Sequence, residues 1–260
     1  MILTMLAAAA LAPASPPDPA RRLAAVEAEL NAVEAALPGA IDAASEAGLD
    51  RPPEDLTQWK AAAASSVSAW VRFGAARCDP RLIAFETGRT AADARAQALA
   101  CRLRIAETAL TDLRLRYGLA GGGPGRRDAE HPAARQAASP EEEGPCADAP
   151  PRECDYCGMN RCWAARLKAD EARLNAAWRA ALARIAARPG LSAVDRKDWS
   201  GRLRAAQRRW LEWRDGICEL ERLETPNPYA HSIYALVTGP CLDAETAART
   251  LVLRQTYGRR

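Results

Sequence analysis

The sequence predicts an all-α protein of two tandem three-helix units, joined by a flexible linker and stapled by disulfides. Three observations carry that expectation. The 260 residues include 60 Ala against 7 Val and 7 Ile, which favours helix over sheet. Apolar residues step by three and four along long stretches on both sides of a Gly/Pro-rich segment. Paired Trp and Cys residues of the first half recur 140 positions later without a gap.

The elements follow in order. Residues 1–14 read as an export signal: Ile2 to Leu11 are apolar, and Ala12-Pro13-Ala14 has an A-x-A cleavage pattern. No later stretch is apolar enough to span a bilayer. The first unit, 19–118, begins with a helix whose buried face is Leu23, Val26, Leu30, Val33 and Leu37. Pro38, Pro80 and Arg188-Pro189-Gly190 are expected to punctuate helices. Cys101, Ile105, Ala109, Leu113 and Tyr117 make the stripe of the unit's last helix. Residues 119–153, rich in Gly, Pro, Ala and charge without periodicity, read as the flexible linker. The second unit, 154–260, has stripes at Trp163, Leu167, Leu174, Trp178 and Ile185, then at Trp199, Leu203, Trp210 and Ile217.

The register between the halves is specific. Trp59, Trp70, Cys78, Cys101, Leu113, Arg114, Tyr117 and Gly118 recur as Trp199, Trp210, Cys218, Cys241, Leu253, Arg254, Tyr257 and Gly258. Upstream, Leu30-Asn31 recurs as Leu174-Asn175 at an offset of 144, so the second copy holds four extra residues near Arg188-Pro189-Gly190. Cys78 pairs with Cys101, and Cys218 with Cys241, as disulfides joining the end of the second helix to the start of the third. Cys146, Cys154, Cys157 and Cys162 have no counterpart in the first half. They fit two more disulfides, Cys154–Cys162 and Cys146–Cys157, or a Cys₄ zinc site with Cys154-x-x-Cys157. An exported chain favours the disulfides and no metal.

In the second unit, Met159-Asn160-x-Cys162, Asp170, Leu174-Asn175, Ala206-Gln207-x-x-Trp210-x-x-x-Arg214-Asp215-x-x-Cys218, Cys241, Thr246, Arg249 and Leu253 form a pattern. It resembles the LprI-like lysozyme-inhibitor family, small cysteine-bearing helical domains of the bacterial envelope, with Trp-x-x-x-Arg-Asp-x-x-Cys its most specific element. The first unit departs from it, with Gly74-Ala75 where the pattern has Arg214-Asp215 and no equivalent of Asp170. The resemblance implies an exported, non-enzymatic envelope protein, periplasmic or secreted, that binds a muramidase-type partner by occlusion. The alternative is a periplasmic helical scaffold that engages an anionic polymer or another envelope protein through its basic half.

Composition narrows the chemistry. With two His, no glycine-rich phosphate loop, no H-E-x-x-H and no paired-carboxylate signature, the chain is expected to be no enzyme, to hold no cofactor and to bind no nucleic acid. Asp170, Arg214, Asp215 and Arg249 are expected to form a buried ion-pair network among three helices. Arg214 and Asp215 are at the same time candidate binding residues. Tyr229, His231, Ser232 and Tyr234 are placed on an exposed loop from Glu224 to Pro240, the candidate recognition surface. Residues 15–118 carry 13 basic and 14 acidic side chains, residues 119–153 carry 4 and 7, and residues 154–260 carry 19 and 12, giving −1, −3 and +7. The basic half suits an anionic polymer better than a cationic lysozyme.

Overall fold

The computed structural model describes residues 18–46, 52–119, 156–225 and 231–258. The described residues form seven helices and no strand. The first half contributes α1 (Pro19–Glu46), α2 (Pro53–Arg77), α3 (Pro80–Thr87) and α4 (Ala91–Arg116). The second contributes α5 (Tyr156–Ala186), α6 (Ala193–Leu223) and α7 (His231–Tyr257). The chain is thus all-α. The expected signal residues and nearly all of the linker lie outside the described residues.

Local chemistry explains the starts and stops. Pro53 opens α2 and Pro80 opens α3, positions where a missing N–H costs nothing. Asp79 caps α3 by accepting from the N–H groups of Arg81 and Leu82, and Gly88 ends it in the left-handed region at φ 67°. Thr90 and Ser192 cap α4 and α6 by accepting from the N–H of Asp93 and Asp195, and each hydroxyl donates back to that Asp side chain. Gly190 at φ 77° marks the turn between α5 and α6.

Three expectations are corrected. Pro38 does not end α1, which runs on to Glu46. Ile41, fully buried, continues the apolar stripe past it, and tertiary burial outweighs the one lost hydrogen bond. The short α3 is an addition to the three helices expected of the first half. The segment from Glu224 to Pro240 is not one long loop: α7 starts at His231 and carries Pro240 inside it. Gly239 is the reason the helix can pass there. Its α-carbon lies so close to Trp163 of α5 that a Cβ would fall 3.0 Å from the indole. The two disulfides, Cys78–Cys101 and Cys218–Cys241, are formed with a Cα–Cα distance of 5.6 Å each. Because α4 and α7 begin earlier than expected, both bridges enter the interior of the third long helix. Cys162 is also disulfide-bonded. Cys146 and Cys154, and the side chain of Cys157, lie outside the described residues.

In the first half α1 packs on α2 and α4, and α3 on α4. In the second, α5 packs on α7, and α6 on both. The halves meet through α2 and α6, with α3 also against α6. One apolar core runs through both: Leu37, Trp59, Leu82 and Leu113 from the first half, Ile185, Leu203, Ile217 and Leu253 from the second. At the seam Phe73 stacks on Trp213 at 5.7 Å between ring centroids, and Phe85 on Trp199 at 5.4 Å. Beside them Arg72 pairs with Glu212 at 3.7 Å. Residues 72 and 212, and residues 73 and 213, are 140 apart, the offset of the Trp and Cys register. Each therefore touches its own counterpart, as residues near a two-fold axis do.

Candidate functional site

Trp210 is the platform of the second half. It lies buried on α6, and Arg214, one helical turn on, lays its guanidinium 5.2 Å from the ring centroid. Arg249 of α7 approaches the same ring at 5.8 Å. Arg214 then ties three helices together. Its Nε donates to Asp215 Oδ1 at 2.8 Å, its Nη1 donates to Thr246 Oγ1 of α7 at 3.2 Å, and Glu171 of α5 stands 3.9 Å away. Asp215 completes the pair from the surface, with its side chain 61% exposed while that of Arg214 is 9% exposed. The arrangement fixes a cation in a mostly apolar setting.

Arg249 has a different environment. Its Nε donates to Gln207 Oε1 at 2.8 Å. Burial, helped by the positive charge of Arg77, brings its pKa down to about 10, with Glu86 opposing. Glu86 belongs to the first half. It accepts from the Tyr257 hydroxyl at 2.7 Å and pairs with Arg77 at 2.9 Å, while Trp199 Nε1 donates to the Tyr257 oxygen at 3.3 Å. Burial and the Glu86 charge push the Tyr257 hydroxyl well above its ordinary value. The polar residues around Arg249 thus cross the seam between the halves.

Asp170 forms a second cluster. Nearly fully buried on α5, it accepts from Arg173 and faces Asp243 of α7, which Arg166 holds at 2.9 Å. Burial first, then Asp243, pushes Asp170 up to about 6. A proton between the two carboxyl groups turns repulsion into a hydrogen bond. Glu245, buried next to Thr246 along α7, is pushed up to about 7 by burial and by Glu221 and Asp112, with Arg214 opposing.

The structure brings Arg214 and Arg249 together over Trp210, while Asp215 pairs with Arg214 from the surface and Arg249 bonds Gln207 rather than a carboxylate. The contacts of Asp170 run instead to Arg173 and Asp243. Of the recognition residues, Tyr229 lies outside the described residues. His231, Ser232 and Tyr234 fall at the start of α7, with their side chains outside the described set. Sequence reasoning missed Asp243, Glu245 and Glu86. Their partners are distant in the chain, and no spacing announces such pairs. Among the described residues no group of three or more His, Cys, Asp or Glu side chains is placed to hold a metal ion. Among them, too, no helix is long and apolar enough to cross a membrane.

No curated protein and no solved structure matches the chain. A family model does, that of "Lysozyme inhibitor LprI", over residues 146–253. The match takes in α5, α6 and α7 as far as Leu253, with Trp210, Arg214 and both cysteines of the second bridge inside it, and leaves out α1 to α4. Residues 146–253 of this chain are therefore similar to the LprI-type lysozyme-inhibitor domain.

Proposed function

We propose that the chain is an exported, non-enzymatic envelope protein, periplasmic or secreted, that binds a muramidase-type partner and inhibits it by occluding its sugar cleft. The observation that carries this reading is the family match over α5 to α7. The disulfides support export, since such bonds persist in oxidising compartments. Residues 1–14 would be the signal, 19–118 a degenerate first repeat, 119–153 a flexible linker and 154–260 the LprI-like repeat. Arg214 and Arg249 hold helices together, so contact with the partner is assigned to the segment 229–234, where Tyr229, His231, Ser232 and Tyr234 cluster in sequence. Asp215, whose side chain is 61% exposed, is a separate candidate contact at the level of Thr246.

The test is a titration of a muramidase with the purified, oxidised full chain. The full chain is required because α2 and α6 share one core. Saturable inhibition that is lost on reducing the disulfides is expected, and no inhibition at saturating protein overturns the reading. The excess of 19 basic over 12 acidic side chains in residues 154–260 favours a second reading, a scaffold that binds anionic polymer. Retention on a polyanion matrix, falling with salt, together with absent inhibition, selects that one.

A further inference from the structure

The first half has a small open recess between α1, α2 and α4, walled by Leu30, Val67, Trp70, Gly74, Ile105 and Ala106. Glu27 and Arg102 flank its mouth and pair across it at 2.7 Å, with side chains 42% and 44% exposed. Its walls align with the Arg214 network of the second half. At the offset of 140, Trp70 answers to Trp210, Gly74 to Arg214, Val67 to Gln207, Ala106 to Thr246 and Ala109 to Arg249. At the upstream offset of 144, Glu27 answers to Glu171. The recess is therefore the space that the Arg214 side chain fills in the other half. The indole and the counterpart of Glu171 are kept here, Asp215 and Thr246 are replaced by Ala75 and Ala106, and the side chain at position 74 that would fill the slot is missing.

We infer that this recess binds an arginine side chain presented by a cationic protein partner. The aliphatic stem would lie along Leu30, Val67 and Ile105, the guanidinium over the Trp70 ring, and the charge beside the Glu27 carboxylate. The occupant is set by the matching site, where Arg214 lies 5.2 Å from the Trp210 centroid and 3.9 Å from Glu171. A guanidinium suits a half-apolar slot better than an ammonium, being planar and more weakly hydrated. The Glu27–Arg102 pair is no barrier, because an exposed ion pair of this kind contributes little and can exchange partners. The inference does not depend on the partner being a muramidase. It also places a receptor for positive charge on the half whose net charge is −1, away from the basic half.

The test titrates n-butylguanidinium, with neutral n-butylurea as its isostere, into the oxidised full chain, followed by calorimetry and indole N–H shifts. The cation should bind saturably and more tightly than the urea. Glu27→Gln should weaken it by about fivefold, the scale of an exposed charge contact. Arg102→Ala, which removes the competitor, should tighten it. Gly74→Arg should fill the slot and abolish binding, at the cost of a small shift of Ile105, whose Cγ2 is 3.2 Å from a Cβ at 74. Glu27→Gln and Arg102→Ala change exposed side chains and keep the test valid if Gly74→Arg does not fold. Equal binding of cation and urea, or an affinity unaffected by both surface substitutions, overturns the inference.

Discussion

Arg214 shows how one buried cation can be a structural joint. Its contacts reach Asp215 on its own helix, Thr246 on α7 and Glu171 on α5. Arg214→Ala removes them all and leaves the Thr246 hydroxyl without that donor, so a loss of about 2 kcal/mol is expected in denaturant unfolding. If inhibition falls only in step with that loss, Arg214 is structural; inhibition lost with stability unchanged would make it a contact residue. The acids give a pH signature. Asp170 and Glu245 are raised to about 6 and about 7, so both keep a proton in the folded chain at pH values where the unfolded chain has released it. Their contribution is full below the ordinary carboxylate range and is lost as pH climbs through about 6 to 7. The melting temperature of the oxidised chain should therefore decline across that interval, and Asp170→Asn, which keeps a hydrogen on the side chain, should flatten part of the decline. A melting temperature that rises instead would show that the two carboxyls do not carry protons. Asp170, Arg214 and Arg249 were legible in the sequence because they belong to the pattern that resembles the LprI-like family. Asp243 and Glu245 were not, because the groups they meet lie on other helices, far away in the chain.

At the scale of the helix, both internal prolines were misleading. Pro38 read as a stop and Pro240 as the end of a loop, yet α1 and α7 pass through them. Local propensity yields wherever the far side of the proline has something to bury: Ile41 after Pro38, and the Cys241 bridge with Thr246 and Arg249 after Pro240. The stripes themselves were reliable, since Trp199, Leu203, Trp210 and Ile217 are all buried. The close approach of α7 to Trp163 of α5 rests on Gly239. Gly239→Val would drive methyl groups into the Trp163 ring, and a loss of about 1–3 kcal/mol with loosened α5 packing is expected from thermal unfolding and Trp fluorescence. Each mapped disulfide should prove independent: Cys218→Ser with Cys241→Ser should cost about 3 kcal/mol and leave Cys78–Cys101 intact by non-reducing peptide mapping.

Across the whole molecule the sequence made the helical class and the 140-residue register plain, but not that the halves would share a core. The reason is physical. A stripe tells which face is buried and says nothing of what buries it, so α2 and α6 could equally have closed on their own partners. Cutting the backbone at a protease site introduced between residues 120 and 145 should leave two pieces that co-elute, held by Phe73, Trp70 and Trp213. Trp213→Arg should release them, and pieces that separate without that change would refute a shared core. The contact of residues 72 and 73 with 212 and 213 has one more consequence. A face that matches its own counterpart would, on a chain with a single such unit, recruit a second molecule, and its occupancy would depend on dilution. Here the complementary face is supplied in cis. Mass action between molecules drops out, and the seam should stay closed at any concentration at which the chain itself is folded.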